Sequence, residues 1–510
     1  MASHAPVLNG GFVWLDHGDL QQGAAVRPPS EWLQLLTHGF ARTGFYRPLM
    51  ALSLSLDALW GGPFIFHLMN LGWHAAATVT VFLAGRALGL CRSAAGVGAL
   101  LFAVHPVTDL VVGGIAYRAD SIVTVTLLVL VIAHLRARPV VAAVALLAGA
   151  LTKETALVLG PLFILAAEFA LDCPAPRANE LRRRLWAWEA AALACAVALR
   201  VAFAPAWRAV RPPLVGSEEV GTRLAALWKS GIRLVLPWDV SICDTFSIFT
   251  PADPRALEGA VLAAVLIGLA LWKRGPALFF VLALLPSLSF VPTPRFWSPH
   301  YLYLPLAFAA MGVGQALARL GKPAWGVAGV VAFILGTRSF ADSARFRSDE
   351  TLFTPEIQAE PRCREAQFYL GAAHLKAGRW EAAAQSYGAA AAQTPGYMSY
   401  ADVPAAFQNL GVARFKQGRY AEAGEALLQA LSLPVPAAQR RELVINLGAS
   451  ELAQQHAVRA EELLREEAAR PDALPEALLL YARTLNALGQ TEQARAALQR
   501  LQGSTAPPAP

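Results

Sequence analysis

The sequence predicts an all-α protein in which a polytopic bundle of about ten transmembrane helices is followed by an α-solenoid of short helical repeats. Three observations lead to this fold class. Apolar segments of near-bilayer length follow one another up to residue 341, charged residues make up only 15% of the chain, and the sequence beyond residue 362 repeats itself.

The composition excludes a soluble globular protein. Hydrophobic residues make up 55% of the chain and charged residues 15%, whereas charged residues average about 25% in soluble domains. The net charge of +7 comes largely from arginines in short loops, so it indicates membrane topology. No basic run is interleaved with aromatic residues, and we expect no nucleic-acid partner.

Ten apolar segments are long enough to cross, or nearly cross, a bilayer. They lie at about 64–86, 94–112, 121–135, 139–152, 155–172, 186–206, 256–272, 275–291, 301–318 and 323–340. Several are shorter than the roughly 20 residues that a straight span needs.

Arginine and lysine positions orient the bundle. If residues 1–60 lie outside, every short inside loop is basic, as the positive-inside rule requires. These inside loops contain Arg86 and Arg92, Arg136 and Arg138, Arg177 with Arg182, Arg183 and Arg184, Lys273 and Arg274, and Arg319 and Lys322. The first thirty residues lack a basic n-region and an apolar h-region, so no cleavable signal peptide is expected.

The same alternation gathers polar residues on the outer face. Besides Asp16, Asp19 and Arg47, they lie in the stretches 105–109, 117–120, 152–154, 236–239 and 295–300 and at Asp244. Charges beside apolar segments are costly, so their collection on one face predicts a functional site. The alternative is that Arg118 with Asp120, and Lys153 with Glu154, are interfacial charges that pair with lipid phosphate or with each other.

The order of short motifs along the chain resembles a known family. The motifs are Phe-Val-Trp-x-Asp (12–16), Tyr-Arg-Pro-Leu (46–49), Asn70 with His74, His-Pro (105–106), Arg-Ala-Asp (118–120), Lys-Glu-Thr (153–155), Leu-Pro-Trp (236–238) and Tyr-Leu-Tyr-Leu-Pro (301–305), with helical repeats after them. Together they resemble the transmembrane and tetratricopeptide-repeat O-mannosyltransferases and their bacterial relatives, which belong to the GT-C glycosyltransferase superfamily.

The resemblance implies a GT-C-like bundle that transfers a sugar from a polyprenyl-phosphate donor on the extracytoplasmic face. Asp16 is then the catalytic carboxylate, and Asp19 a substitute for the second acidic residue that the family has where this chain has Leu15. A carboxylate takes the acceptor proton, and cations stabilise the leaving phosphate. The candidate cations are Arg47, Arg118, Lys153, Arg295 and His300, and the supporting residues are His105, Asp120, Glu154, Tyr301 and Tyr303.

Two further features bear on the site. The family's Glu-Arg pair ahead of Tyr-Leu-Tyr-Leu-Pro is Pro299-His300 here, which weakens the expected phosphate site. No metal site is predicted, although a divalent cation held by His17 with Asp16 and Asp19 stays open, because such close loop ligands are a weak signal.

The C-terminal region predicts about four tetratricopeptide repeats. Leu370-Gly371, Leu410-Gly411, Leu447-Gly448 and Tyr481-Ala482 begin successive units at spacings of 40, 37 and 34 residues, and Ala383, Ala423, Ala460 and Ala494 follow them. Small residues suit close helix crossings, and Tyr387, Leu427, Leu464 and Leu498 fill the space between. Such arrays bind proteins or peptides, so we expect an acceptor or a partner to bind here.

The chain therefore divides into five expected regions. These are a first extracytoplasmic loop with an amphipathic helix from Pro48 to Trp60 (1–60), a transmembrane domain (61–341), a linker (342–361), the repeats (362–503) and a disordered tail (504–510). The five cysteines form no CxxC pair, and we expect them to be packing residues.

The residues leave three functions open. The first is a membrane glycosyltransferase, integral to a bacterial inner membrane, whose first loop and repeats are extracytoplasmic. The second is a non-catalytic membrane scaffold whose repeats organise a cell-envelope complex. A transporter is the third, and it is disfavoured because the charges cluster at one face instead of marking a path through the midplane.

Overall fold

The computed structural model describes residues 1–40, 45–169, 179–204, 214, 216–238, 241–242, 246–273, 275–288 and 296–504. These residues form two compact units. The first comprises Met1–Leu352 with Gly396–Met398, and the second comprises Phe353–Pro395 with Ser399–Pro510.

The first unit is built almost entirely of helices. Its α-helices are Pro48–Ala58, Gly62–Ala87, Arg92–Val104, Asp109–Gly113, Arg118–Leu135, Pro139–Thr152, Thr155–Phe169, Asn179–Phe203, Ser217–Val235, Pro254–Lys273, Pro276–Ala283, Tyr303–Leu320 and Lys322–Ser343, and Asp349–Ala359 starts in it. Short 3₁₀ or π turns occupy Ala2–Asn9, His17–Gln21, Pro29–Leu36, Pro106–Thr108, Ile115–Tyr117, Pro286–Leu288, Pro299–Leu302 and Ala344–Arg347. Two-residue strands Phe246–Ser247 and Tyr397–Met398 pair antiparallel.

The ten apolar segments are helical over most of their described residues, which confirms the all-α membrane class. Six helices are long and apolar enough to cross a membrane: Gly62–Ala87, Ile115–Leu135, Glu180–Phe203, Pro254–Trp272, Pro299–Leu320 and Pro323–Arg347. Arg92–Val104 with Pro106–Gly113 makes a seventh if this pair, bent by 56°, is one span. The other three segments are shorter apolar helices, two of which meet at the polar Lys153-Glu154 break. The protein is therefore an integral membrane protein.

Small residues let two of these helices approach closely. A Cβ atom at Gly98 would lie 3.0 Å from the carbonyl oxygen of Ala310, on the facing helix Tyr303–Leu320. Glycine at such crossings brings membrane helices into van der Waals contact along their backbones. This crossing sets the position of the helix Tyr303–Leu320. His300 and Tyr301 lie in the Pro299–Leu302 turn just before it.

The helix expected from Pro48 to Trp60 is present as Pro48–Ala58. Its residues Met50, Ala51 and Leu54 are buried in an apolar cluster with Phe40, Phe45, Phe66, Ile115 and their neighbours. This cluster ties the N-terminal region to the Gly62–Ala87 helix, and it sets the position of Arg47 at the start of Pro48–Ala58.

The segment expected to be a linker (342–361) is mostly helical, and its residues up to Leu352 belong to the first unit. Phe346 is buried, and a Cβ atom at Gly113 would overlap its ring. The backbone N–H of Gly11 donates to the carbonyl of Phe346 at 3.1 Å. The segment therefore packs against the N-terminal region instead of connecting two units loosely.

The second unit contains four helix pairs, as the repeats predict: Arg364–Lys376 with Trp380–Ala391, Val403–Lys416 with Tyr420–Leu431, Ala437–Ala453 with Ala457–Ala469, and Pro475–Ala487 with Thr491–Ser504. Gly371, Gly411 and Gly448 lie against Tyr387, Leu427 and Leu464, so close that a Cβ would touch or overlap these side chains. Ala383, Ala423, Ala460 and Ala494 are buried. Residues 505–510 of the expected tail lie outside the described residues.

The cysteines differ in their environments. Cys91 and Cys195 are exposed free thiols, whereas Cys363 is disulfide-bonded. The expectation of packing residues is therefore wrong for Cys91 and Cys195, whereas Cys363 is buried.

Candidate functional site

Asp16 lies in a tight turn that buries its carboxylate. Its Oδ2 accepts from the backbone N–H of Val13 at 3.2 Å, and its Oδ1 accepts from that of Ala116 at 3.1 Å. The side chain is 1% exposed. The turn is strained, because Trp14 adopts a φ of 58°, in the left-handed region that non-glycine residues rarely occupy. We call residues 13–19 the acidic turn.

Burial sets the charge of Asp16. Loss of water raises the pKa of this carboxyl from 3.8 to about 8, although the two backbone N–H groups act in the opposite direction. At neutral pH Asp16 is therefore mainly protonated in the absence of substrate. A group of this kind fixes the turn, and it accepts a proton only when it is ionised.

Asp19 differs from Asp16 in both exposure and charge. It is half-buried, and no described residue forms a hydrogen bond or ion pair with its carboxylate. Burial raises its pKa from 3.8 to about 6, and the positive charge of Arg47 opposes that rise. Asp19 is therefore mainly ionised at pH 7, and its carboxylate can accept a proton from a substrate.

Two ion pairs lie beside the acidic turn. Arg47 binds Glu154 through both oxygens, with Nε–Oε2 at 3.0 Å and Nη2–Oε1 at 2.5 Å. Lys153 Nζ lies 2.6 Å from Asp120 Oδ1. The break between the helices Pro139–Thr152 and Thr155–Phe169 places Lys153 and Glu154 next to each other, and so joins the two pairs.

Aromatic rings connect these charges to the acidic turn. Lys153 Nζ lies 5.6 Å from the ring centre of Tyr301, and the ring centres of Tyr301 and His300 are 4.1 Å apart. The ring centres of His300 and Tyr117 are 4.6 Å apart, and those of Tyr117 and Trp14 are 5.2 Å apart. The chain of contacts runs without a gap from Lys153 to the residue two before Asp16.

The structure thus brings together eight of the residues predicted for the site. They come from the acidic turn, the start of Pro48–Ala58, the first turn of Arg118–Leu135, the Lys153-Glu154 break and the Pro299–Leu302 turn, and they are Asp16, Asp19, Arg47, Asp120, Lys153, Glu154, His300 and Tyr301. The catalytic and binding roles of these residues are predictions.

Arg118 is held by the protein itself. Its guanidinium donates to Asn70 Oδ1 at 2.6 Å, to the Phe66 carbonyl at 2.8 Å and to Ser53, and it pairs with Asp57 at 2.5 Å. The side chain is fully buried. With these acceptors in place, the predicted phosphate contact would require Arg118 to leave several of them.

Two of the predicted supporting residues do not join the cluster. His105 caps the Pro106–Thr108 turn through Val107 N–H and contacts the Leu234 carbonyl at 3.2 Å. The hydroxyl of Tyr303 lies 2.7 Å from His74 Nδ1 in the helix core. Both therefore have packing partners of their own. Arg295 lies outside the described residues.

Sequence reasoning missed Asp349 and Asp57. Asp349 comes from the expected linker, yet it accepts from Trp14 N–H at 2.7 Å and lies 2.6 Å from His17 Nε2. Asp57 was interpreted as the polar side of an amphipathic helix, although it is the buried partner of Arg118. A single acidic residue inside an apolar helix was the available signal for Asp57, and Asp349 had none.

An apolar groove is lined by residues of the helices Pro48–Ala58, Gly62–Ala87, Arg118–Leu135 and Pro139–Thr152. Its volume is about 570 Å³, within the range of about 300–1,000 Å³ that is typical of ligand pockets. Leu49, Leu52 and Ser53 follow Arg47 along one helix, and Thr152 precedes Lys153 on another. The other lining residues are Leu56, Asp57, Trp60, Ile65, Leu68, Met69, Trp73, Ile122, Thr126 and Ala148.

Among the described residues, no group of three or more His, Cys, Asp and Glu side chains is arranged to hold a metal ion. His17 directs Nδ1 to Gln21 Oε1 and Nε2 to Asp349 Oδ2, each at 2.6 Å. Its nitrogens are therefore turned away from a site with Asp16 and Asp19.

Comparison with known proteins finds several O-mannosyltransferases. The chain is 37% identical over 123 residues to protein O-mannosyl-transferase Tmtc1 of Drosophila melanogaster, covering 22% of this chain and 14% of that protein. It is 40% identical over 97 residues to tmtc2 of Xenopus laevis (18% and 11%) and 36% identical over 126 residues to TMTC1 of Homo sapiens (22% and 14%). The match thus spans about an eighth of the length of these relatives, and it confirms the resemblance inferred from the motifs.

Two further comparisons concern the fold. The family model described as tetratricopeptide repeat matches residues 476–504, the last helix pair. The crystal structure of ArnT from Cupriavidus metallidurans in the apo state aligns over 94% of this chain and 82% of that chain, with 13% identity and a TM-score of 0.41. The first match confirms the repeats, and similarity as low as the second says nothing about chemistry.

Proposed function

We propose that this chain is a membrane glycosyltransferase that moves a sugar from a polyprenyl-phosphate donor to a hydroxyl of a protein or glycan. The similar proteins are named as O-mannosyltransferases, so mannose is the first sugar to test. The non-catalytic scaffold remains the alternative.

One observation carries the proposal. A half-buried, ionised carboxylate and two cationic side chains lie in the first unit, and an apolar groove there is lined by the two helices that adjoin these cations in the sequence. A lipid-linked sugar phosphate needs these features in this order: a base for the acceptor, positive charge for the phosphate and apolar walls for the lipid chain.

The reaction is a direct displacement at the anomeric carbon. The acceptor oxygen forms a bond to that carbon as the bond to the phosphate oxygen breaks, and the sugar configuration inverts. The acceptor proton passes to a carboxylate, and the bonding electrons leave with the polyprenyl phosphate. We assign the proton to Asp19, because it is ionised at neutral pH and open to substrate, and Asp16 holds the turn in a neutral form.

The donor phosphate is assigned to Arg47 and Lys153, with His300 and Arg295 as further candidates. Both basic side chains are now paired with carboxylates. An incoming phosphate exchanges one anionic partner for another, so the cations stay ordered before substrate arrives. An arginine fork suits this exchange, because it can bind two phosphate oxygens at once.

We assign the polyprenyl chain to the apolar groove. The helix that begins after Arg47 and the helix that ends before Lys153 both line it, so a lipid whose phosphate lies at these cations has its first isoprene units at the groove. Leu68 and Met69 are partly exposed, which opens the groove to the surrounding lipid for the rest of the chain.

We place the first loop and the repeats on the extracytoplasmic side of a bacterial inner membrane, and the basic inside loops support this orientation. The disulfide of Cys363 suits an oxidising compartment, where such bonds persist. The repeats then bind the acceptor protein or a partner, because stacked helix pairs present an extended binding surface.

Reconstituted protein tests the proposal. Wild type and Asp19→Asn are placed in nanodiscs with a synthetic polyprenyl-phosphate mannose and an acceptor peptide rich in serine and threonine, and product is counted by mass spectrometry. We expect transfer by wild type and a loss of at least about 10²-fold in the variant. If neither protein transfers any of a panel of lipid-linked sugars, the glycosyltransferase hypothesis is wrong and the non-catalytic scaffold hypothesis takes its place.

A further inference from the structure

We propose that Asp349 is a positioning residue that locks the acidic turn in its reactive shape, together with His17. This inference rests on the proposed function and extends it to a residue outside the transmembrane domain that the sequence predicts. We call residues 346–349 the loop clamp.

The carboxylate of Asp349 fastens the turn at two points. Oδ1 accepts from the backbone N–H of Trp14 at 2.7 Å, and Oδ2 lies 2.6 Å from Nε2 of His17. These two residues flank Leu15 and Asp16. One side chain therefore holds both ends of the segment that carries Asp16.

The His17 ring explains the strength of this contact. Its Nδ1 faces the amide oxygen of Gln21 at 2.6 Å while Nε2 faces Asp349. Only the imidazolium donates from both nitrogens, so the contact with Asp349 is a charge-assisted hydrogen bond. The side chain of Asp349 raises the pKa of His17 accordingly.

The loop clamp is itself rigid. Ser348 and Thr351 exchange hydrogen bonds between side chain and backbone N–H at 3.2 and 3.0 Å, and so cap the Asp349–Ala359 helix. Because this cap is supplied by Ser348, the Asp349 carboxylate is available to the turn. Buried Phe346 and its hydrogen bond from Gly11 anchor the other end.

The turn needs such a lock because Trp14 is strained. A tryptophan at a φ of 58° persists only where its surroundings outweigh the cost. Its N–H bond to Asp349 and its ring contact with Tyr117 are those surroundings. Without Asp349 we expect the backbone to relax and Asp16 and Asp19 to move away from the two ion pairs.

The test uses the full chain in nanodiscs with the donor and peptide above. Asp349→Ala removes both contacts, Asp349→Asn keeps an acceptor for Trp14 N–H, and His17→Gln removes the imidazolium. Glu350→Ala is the control, because it removes the neighbouring, exposed carboxylate of the same helix. Each variant is measured for kcat, for KM of the donor and for hydrogen exchange of the peptide covering residues 13–19.

We expect Asp349→Ala to lower kcat about 10- to 100-fold with little change in donor KM, because Arg47 and Lys153 are untouched. The kcat values of Asp349→Asn and His17→Gln should lie between those of wild type and Asp349→Ala. The double variant Asp349→Ala with His17→Gln should have a kcat no lower than that of Asp349→Ala alone. Exchange in 13–19 should rise in the same order and stay at the wild-type level in Glu350→Ala.

Unchanged hydrogen exchange of residues 13–19 in Asp349→Ala would overturn the inference. Faster exchange with unchanged kcat would also overturn it, but would not contradict the proposed transferase function. Wild type that transfers no sugar would remove the proposed function and the positioning role with it. In that case exchange still reports whether Asp349 orders the turn, so the two failures are separate results.

Discussion

The pH dependence of transfer distinguishes Asp19 from Asp16 without any substitution. Either carboxylate must be ionised to accept a proton, so kcat/KM falls as pH falls through the pKa of whichever one is the base. The burial of the acidic turn places these pKa values at about 6 for Asp19 and about 8 for Asp16.

The expected sizes follow from these values. With a pKa of about 6, about 91% of Asp19 is ionised at pH 7 and about 9% at pH 5, so kcat/KM should fall about tenfold between them. With a pKa of about 8, only about 9% of Asp16 is ionised at pH 7, and kcat/KM would instead rise about tenfold from pH 7 to pH 9. We expect the first profile.

The assay measures kcat/KM for the donor from pH 5 to pH 9 in nanodiscs. Samples held at each pH and returned to pH 7 must regain full activity, which excludes unfolding as the cause. His17→Gln removes a neighbouring titrating group; its kcat should be lower because the acidic turn is loosened, but the midpoint of its pH profile should stay the same. A midpoint near 8 would transfer the role of base to Asp16, and a flat profile with active Asp19→Asn would refute both assignments.

Three further predictions concern the groove, the buried ion pair and the repeats. Ala148→Trp, which fills the apolar groove, should raise KM for a long-chain donor more than for a short-chain donor, whereas Leu83→Trp, on an exposed face outside the groove, should change neither. Arg118→Met should lower the free energy of unfolding by about 3–5 kcal/mol, because it leaves Asp57 buried and unpaired. The KM for the donor, measured on the folded fraction, should stay unchanged. A large rise in this KM would indicate that Arg118 does bind the phosphate. Gly448→Val should destabilise the repeats by about 1–3 kcal/mol because its side chain overlaps Leu464, while Gly388→Val, with no neighbour within 4 Å, should stay within about 0.5 kcal/mol in chemical denaturation.

The fold was predictable wherever one physical constraint dominates. Long apolar segments must be helical in a membrane, because every backbone polar group needs an internal partner, and the ten segments are helical over most of their described residues. The repeats were predictable because small residues recur at helix crossings, and Gly371, Gly411 and Gly448 do face large side chains. The segment 342–361 was harder, because its packing depends on Phe346 and Asp349 meeting residues more than 300 positions away in the chain.

The site was only partly predictable for a related reason. The predicted membrane topology groups Arg47, Lys153 and Glu154 on one face, and these residues lie close together in the structure. It does not tell which charges pair. Arg118 and Arg47 have similar sequence surroundings, yet Arg118 is enclosed by Asp57, Asn70 and Ser53 while Arg47 faces the acidic turn. Which acceptors surround a cation depends on three-dimensional packing, and the sequence alone does not show it.

The pairing of Arg47 leads to a prediction about donor binding. Glu154 now occupies both arms of the Arg47 fork, so a donor phosphate has to compete with it. Glu154→Gln removes the competing charge and keeps an oxygen that can hold the guanidinium in place. A hydrogen bond to a charged group contributes about 1.5–3 kcal/mol, so we expect KM for the donor to fall about tenfold when the competition is relaxed.

The control for this experiment is Glu31→Gln, which makes the same chemical change at the partly exposed pair of Arg27 and Glu31, whose charges lie 3.8 Å apart. Such surface pairs contribute little, and donor KM should not change. The fall in KM at Glu154→Gln should also shrink at high salt, because added ions screen the attraction between Arg47 and phosphate. If KM instead rises in Glu154→Gln, then Glu154 orients Arg47 for the phosphate and does not compete with it, and the exchange of anionic partners that we propose for donor binding is wrong.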